Sequence, residues 1–339
     1  SDFPADWVAM AKVLEVAAEQ LSRSWGAIGH LNSVLDTPDL RAAFNLALPR
    51  VTAFYTRLGA DERLYAKYKA IAPAHLNAEQ TQAHRNNMRN FVLGGAELQG
   101  QQRQRFAEIQ EKTAAASQKF SENALDATDA FAHYADESEI AGIPADVLQS
   151  AKSAAEAQGK SGYKLTLKMP CYLPVMQFAR HRGLRERLYR AYTTRASNQA
   201  DGDLKQYDNA SLIEALLALR LEEAKLLGHP NFASLSLVPK MAQSPQQVID
   251  FLRDLAAKAR PFAQQDLADL RVFASEHLQL TAPEAWDWPY VSEQLKEARY
   301  AFNEQALKQY FPLPKVLTGL FKLVETLFEV IIREDQAPV

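Results

Sequence analysis

The sequence predicts a mostly α-helical protein with at most a short antiparallel two-stranded element. Three observations carry that prediction. Alanine is abundant and glycine scarce, with 55 Ala against 13 Gly in 339 residues; alanine is the best helix former and glycine among the worst. Apolar residues recur every three or four positions through most of the chain, the period of a helix with one buried face. Capping residues stand in front of several of these runs.

The first helix is expected over about 5–35. Thr37-Pro38-Asp39 opens the second, with Thr as N-cap and Pro at the first position. Pro49 lies inside that run and is expected to kink or split it. Asn77 and Gln80 form a capping box for a helix to about Val92, which Gly94-Gly95 ends. From about Gln101 to Asp126, the residues Phe106, Ile109, Ala116, Phe120 and Ala124 make one stripe.

Strand signals are confined to two stretches, about 128–135 (TDAFAHYA) and 163–169 (YKLTLKM), which alternate in part and are expected to pair. A helical segment, about Pro144 to Gln158, separates them. Farther on, Ser244-Pro245-Gln246-Gln247 caps a helix carrying Val248, Leu252, Leu255, Ala259 and Phe262. Pro261 is expected to interrupt it, with Leu267, Leu270 and Phe273 resuming the stripe. The last helix is expected over about Lys315 to Ile332, and linkers at Gln199–Asp203 and Leu280–Pro283.

Composition narrows the function classes. With 47% apolar residues the chain can bury a sizeable core, and at roughly 150 residues per domain its length suits two lobes. A balance of 38 Lys+Arg against 41 Asp+Glu gives a net charge of −3 and no general attraction to nucleic acid or anionic membrane. The longest run free of Asp, Glu, Lys and Arg is 14 residues, Leu226–Pro239, short of the ~20 needed to span a bilayer. The first 25 residues lack the basic start and small-residue cleavage site of a secretory leader. A single cysteine, Cys171, excludes a disulfide framework and a cysteine-based zinc site, and suits a reducing, cytoplasmic setting.

No self-contained catalytic or metal site is legible. His30, His75, His84, His133, His181, His229 and His277 include no pair three or four apart, and H-E-x-x-H does not occur. Cys171 is the one candidate thiol nucleophile, with His181 ten residues on, but a small buried side chain accounts for it more simply. G-x-S-x-G, P-loop and dinucleotide-binding motifs are absent. Arg180, Arg182, Arg185, Arg187, Arg190 and Arg195 form the one basic cluster, with Tyr189 and Tyr192 interleaved. A solvated helix whose arginines pair with carboxylates elsewhere is the preferred reading. An anion or nucleic-acid patch is the sharper one, and a bidentate grip on a peptide's carboxylate is a third. Trp286-Asp287-Trp288-Pro289-Tyr290 either lines a pocket or anchors a loop. At this level a helical interaction module and a part of an enzyme both stand.

Several segments together resemble one family. Leu167 to Met176 (LKMPCYLPVM), Leu188 to Ser197 (LYRAYTTRAS), and Leu219 to Ala233 through Leu226-Leu227-Gly228 and Asn231-Phe232 occur in the order of the thimet oligopeptidase and oligopeptidase A family of zinc peptidases. Lys240-Met241-Ala242 and Tyr310-Phe311-Pro312 with Val316 and Gly319-Leu320-Phe321 continue the order. His30 to Val34 and Asn123 to Thr128 resemble the oligopeptidase A branch rather than the dipeptidyl carboxypeptidases. Cys171 stands where the family has Ser, and Phe232 where Tyr is usual.

The resemblance implies a soluble enzyme that hydrolyses short unstructured peptides, cleaved signal peptides among them, with a zinc-activated water. It places the zinc-binding H-E-x-x-H helix beyond the matched segments. This chain then reads as an amino-terminal fragment, with residues 1–178 an N-terminal helical region and 179–339 the opening part of the peptidase domain. It is expected to form one wall of a substrate channel. No catalytic, cofactor-binding or metal residue carries over to it, and it is expected to be inactive alone. Its expected partners are peptides and the missing catalytic part, with no nucleic acid and no membrane. Apolar surface left by the missing part would favour self-association.

Overall fold

The computed structural model describes residues 5–301 and 307–336. They are mostly helical, with a single two-stranded sheet among the described residues. The chain divides into two compact units, one of residues 1–127 with 195–260 and one of 128–194 with 261–339.

In the first unit, α1 (Trp7–Leu35) starts where the Asp6 carboxylate accepts the Ala9 N–H. Thr37 caps α2 (Pro38–Gly59) in the same way through Leu40. α2 runs through Pro49 unbroken, where the sequence reading expected a kink or split. Packing on both sides of the proline holds its direction. Phe44 stacks on Trp25 of α1 at 4.5 Å before it. After it, Gly59 lies so close to Gly94 that a Cβ on Gly94 would stand 2.9 Å from the Gly59 oxygen.

α3 (Glu62–Ala70) is capped by Asp61 and α4 (Ala78–Leu93) by the Asn77–Gln80 box, both halves of which form. Met10, Tyr68, Ile71, Phe91 and Ala96 make the core of this part. α5 (Gly100–Ala130) is the long polar-rich helix, with Phe106 and Ile109 of its stripe buried.

The chain then makes β1 (His133–Ala135), α6 (Ala145–Glu156) and β2 (Tyr163–Leu165) in the second unit. The strands pair antiparallel with Tyr134 opposite Lys164. Each is shorter than the stretch read from the sequence. α5 continues to Ala130 and takes the front of the first, and α7 (Met169–Phe178), with Pro170 in its first turn, takes the end of the second. α8 (Arg182–Thr193) follows, capped by His181, whose Nδ1 accepts the Leu184 N–H. Leu165, Leu167, Val175, Met176, Ala179, Leu184 and Leu188 are essentially sealed from water and belong to the largest buried cluster among the described residues.

The chain returns to the first unit for α9 (Ala210–Leu226) and α10 (Phe232–Leu237). Gly228 takes the left-handed conformation that ends α9, and Asn231 caps α10. Arg105 forks Glu222 at 2.7 and 2.8 Å, and the buried amide of Asn123 donates to Asn209 at 2.9 Å, so polar pairs fasten α9 to α5.

α11 (Pro245–Leu278) runs 34 residues through Pro261 without the expected interruption. One backbone bond is lost there, and strong helix formers such as Ala, Arg and Gln on both sides carry the helix on. Its stripe residues Leu252, Leu255 and Phe262 are exposed. α12 (Trp288–Tyr300) packs on α7 and buries Val291 against Phe273 and Ala274. α13 (Leu313–Phe328) is the last helix. No helix among the described residues is long and apolar enough to cross a membrane.

Candidate functional site

The two stretches singled out for possible ligand contacts, 180–195 and 286–290, meet in the second unit. Arg182 and Arg185 are three residues apart on α8, which puts both on one helical face. Asp287 lies at the start of α12, where a negative charge is favoured by the helix dipole. Arg182 Nε and Nη2 reach Asp287 Oδ2 at 3.0 and 2.8 Å, and Arg185 Nη2 reaches Oδ1 at 2.7 Å. The Glu284 N–H also donates to Oδ2 at 2.9 Å. Burial of Asp287 works to push its carboxyl up, but the bonds from Arg182, Glu284 and Arg185 outweigh it and hold the pKa below the usual carboxylate value.

Arg185 is 1% exposed. It donates to the Ala179 carbonyl at 2.6 Å and lies 4.4 Å over the Tyr290 ring. Arg182 further holds the Ala282 carbonyl at 3.0 Å. The junction therefore ties α8, the 279–287 loop and the start of α12 together. The preferred reading of the cluster, arginines paired with distant carboxylates, describes Arg182 and Arg185, although Arg185 is sealed rather than solvated.

Arg187 and Arg190 are also engaged. Arg187 lies against the His133 ring and 3.6 Å from Glu139, and His133 Nε2 is 2.8 Å from Glu139. Arg190 pairs with Glu186 and sits 5.0 Å over Trp286. Trp286 packs against the main core beside Tyr189, its indole N–H buried without a hydrogen-bond partner. Tyr172 and Tyr192 stack at 4.2 Å. The run 286–290 thus anchors a loop. With their carboxylate partner in place, Arg182 and Arg185 have no fork left for a peptide's carboxylate.

Cys171 lies at the start of α7, where its Sγ accepts the Thr166 N–H at 3.4 Å. Burial pushes its thiol pKa up, the opposite of what a nucleophile needs. His181 caps its helix, His84 contacts the Tyr68 carbonyl at 2.7 Å, and His277 stacks on Phe273. Gly94-Gly95 ends α4 as read. Among the described residues, no three His, Cys, Asp or Glu side chains are grouped so as to hold a metal ion. The donor set does not fit a zinc site.

Sequence reasoning missed Asp287 as the hub of this junction. A signal was there: a lone acid between two tryptophans, just ahead of a proline in a helix's first turn, and an arginine pair spaced i, i+3 elsewhere. What the sequence does not give is that these two meet across 102 residues.

Comparison with known proteins supplies what the site alone does not. The model of the neurolysin/thimet oligopeptidase N-terminal domain matches residues 1–103, and that of peptidase family M3 matches 175–338. Oligopeptidase A of Escherichia coli is 40% identical over 336 residues, 98% of this chain and 49% of that protein. The probable cytosolic oligopeptidase A of Arabidopsis thaliana is 38% identical over 98% of the chain and 49% of its own length. The dipeptidyl carboxypeptidase of Salmonella typhimurium is 31% identical over 71% of the chain. The chain spans about half the length of the oligopeptidases it matches. Two models in their expected order, and identity carried across the whole chain, show that it belongs to peptidase family M3.

Proposed function

We propose that this chain is the helical amino-terminal part of a zinc-dependent oligopeptidase of the oligopeptidase A type, acting on short unstructured peptides. The observation that carries the proposal is the 40% identity over 98% of the chain to a protein twice as long. Residues 1–178 are its N-terminal region and 179–339 the opening of its peptidase domain. The zinc, which would activate the attacking water, is held by residues outside the described ones, whose donor set does not fit it. The chain's role is to shape one wall of the substrate channel and restrict access to extended peptides. By itself it is inactive. The name of the Arabidopsis cytosolic relative and the single cysteine support a cytoplasmic setting.

The test is a chimera in which residues 1–339 replace the matched half of the Escherichia coli protein. Cleavage of a quenched fluorescent oligopeptide that a chelator abolishes is the expected result. A folded chimera with no such activity contradicts the proposal and favours an independent helical module.

A further inference from the structure

α13 has the sequence of a buried helix and the surroundings of an exposed one. Leu313, Val316, Leu317, Leu320, Phe321, Val324, Leu327 and Phe328 repeat at spacings of three and one and cover a single broad face. Lys315, Thr318, Lys322 and Thr326 occupy the other. The two threonine hydroxyls there donate to the helix's own carbonyls, of Pro314 and Lys322. None of the sixteen residues is buried, and Leu313 and Phe328 are 69% and 70% exposed. A face of this width is stable in water only when covered.

We propose that this face is the seat of the polypeptide that corresponds to the second half of the oligopeptidase relatives. The inference rests on the functional reading above and says where that half docks. The peptidase family model matches through residue 338, so α13 lies inside the matched domain rather than in a tail. The match takes up 49% of each of these relatives, so about as much of their length lies outside it. Among the described residues, the buried clusters of the second unit are those around Leu165 and around Phe273, and α13 belongs to neither. A domain with an orphan apolar helix and a further half of chain to come has both the surface and its occupant. Other occupants fit less well. A membrane-surface helix carries a strongly basic polar face, and this one offers Lys315 and Lys322 beside Glu325. A second copy meeting helix to helix would have about 24 Å of contact length, short for an interface that stable dimers make with ~1,600 Å².

Hydrogen exchange resolved by peptide tests it, on the chain alone and on the chimera with the second half of the Escherichia coli protein. In the chain alone, amides of 313–328 should exchange close to the unprotected rate. In the chimera they should slow by about 100-fold or more. The double variant Leu320→Glu, Phe321→Glu should leave the melting temperature of the chain alone unchanged and abolish the slowing in the chimera. Protection in the chain alone that is lost on dilution assigns the face to a second copy and overturns the proposal. So does a fall in melting temperature of the double variant, an insoluble chimera, or an active chimera whose α13 stays unprotected. A chimera with protected α13 and no peptidase activity refutes the functional reading and leaves the docking intact.

Discussion

Two stretches of the second unit carry the same kind of apolar pattern and meet opposite fates. Over 163–192 the side chains of Leu165, Val175, Ala179, Leu184 and Leu188 are completely buried. Over 313–328 the apolar residues are at least as dense, and none is buried. The difference is company. α7 has α6, α8 and α12 against it, and α8 is further pinned through Arg182 and Arg185 to Asp287. α13 has no comparable neighbour among the described residues. A hydrophobic pattern states that a face is to be covered, and says nothing of what covers it.

The comparison breaks most visibly at the pinned end. Asp287→Asn leaves Arg185 buried with its charge uncompensated, and should cost about 3–5 kcal/mol in denaturant unfolding. A cost under 1 kcal/mol would mean that the junction is not what fixes the loop. Gly142 comes next. It holds φ +94° beside α7, and an added Cβ would fall 2.3 Å from the Phe178 carbonyl oxygen. Gly142→Ala should cost about 2–3 kcal/mol, against no effect at Gly159, where a Cβ meets nothing but φ is also positive, beyond the ~1 kcal/mol of that conformation itself.

Acid should act on the same junction. The pKa of Asp287 is lowered in the fold, so its stabilising contribution is complete above the unfolded-state value near 3.9 and is lost as pH falls below it toward the folded value. Asp126, lowered chiefly by its hydrogen bonds from Arg41, behaves alike in the first unit. Unfolding free energy measured from pH 6 to pH 2 should decline mainly below pH 4, and the decline should shrink in Asp287→Asn. Smallest are the changes that touch little. Cys171→Ser should shift stability by less than ~1 kcal/mol, since the hydroxyl can accept the same Thr166 N–H. On the exposed seam of α11, Leu252→Glu should fall within about ±0.5 kcal/mol; thermal melts of both variants check this.

Local signals were readable to the degree that they are local. The Thr37 cap, the Asn77–Gln80 box and the Gly94 stop each involve residues within a turn of one another, and each forms as read. The strand pair was placed correctly but drawn too long, because a helix can claim residues that also alternate, as α5 does at Thr128–Ala130. Pro49 and Pro261 misled, since a proline removes one bond while packing and neighbouring helix formers decide whether the helix goes on. The Asp287 junction was out of reach for a different reason. Its members lie in two stretches about a hundred residues apart, and no rule of spacing joins them. Family membership was legible because seven ordered segments carry it jointly, and the two family models match along the same order.

The central claim is that these 339 residues supply the helical half of an oligopeptidase while the reacting groups lie outside them. It is tested most directly by offering the purified chain a quenched fluorescent oligopeptide, with zinc and then with a chelator. No cleavage under either condition is the expected result. Cleavage that zinc supports and the chelator abolishes would contradict the account, because a metal site would then have to be built from these residues themselves.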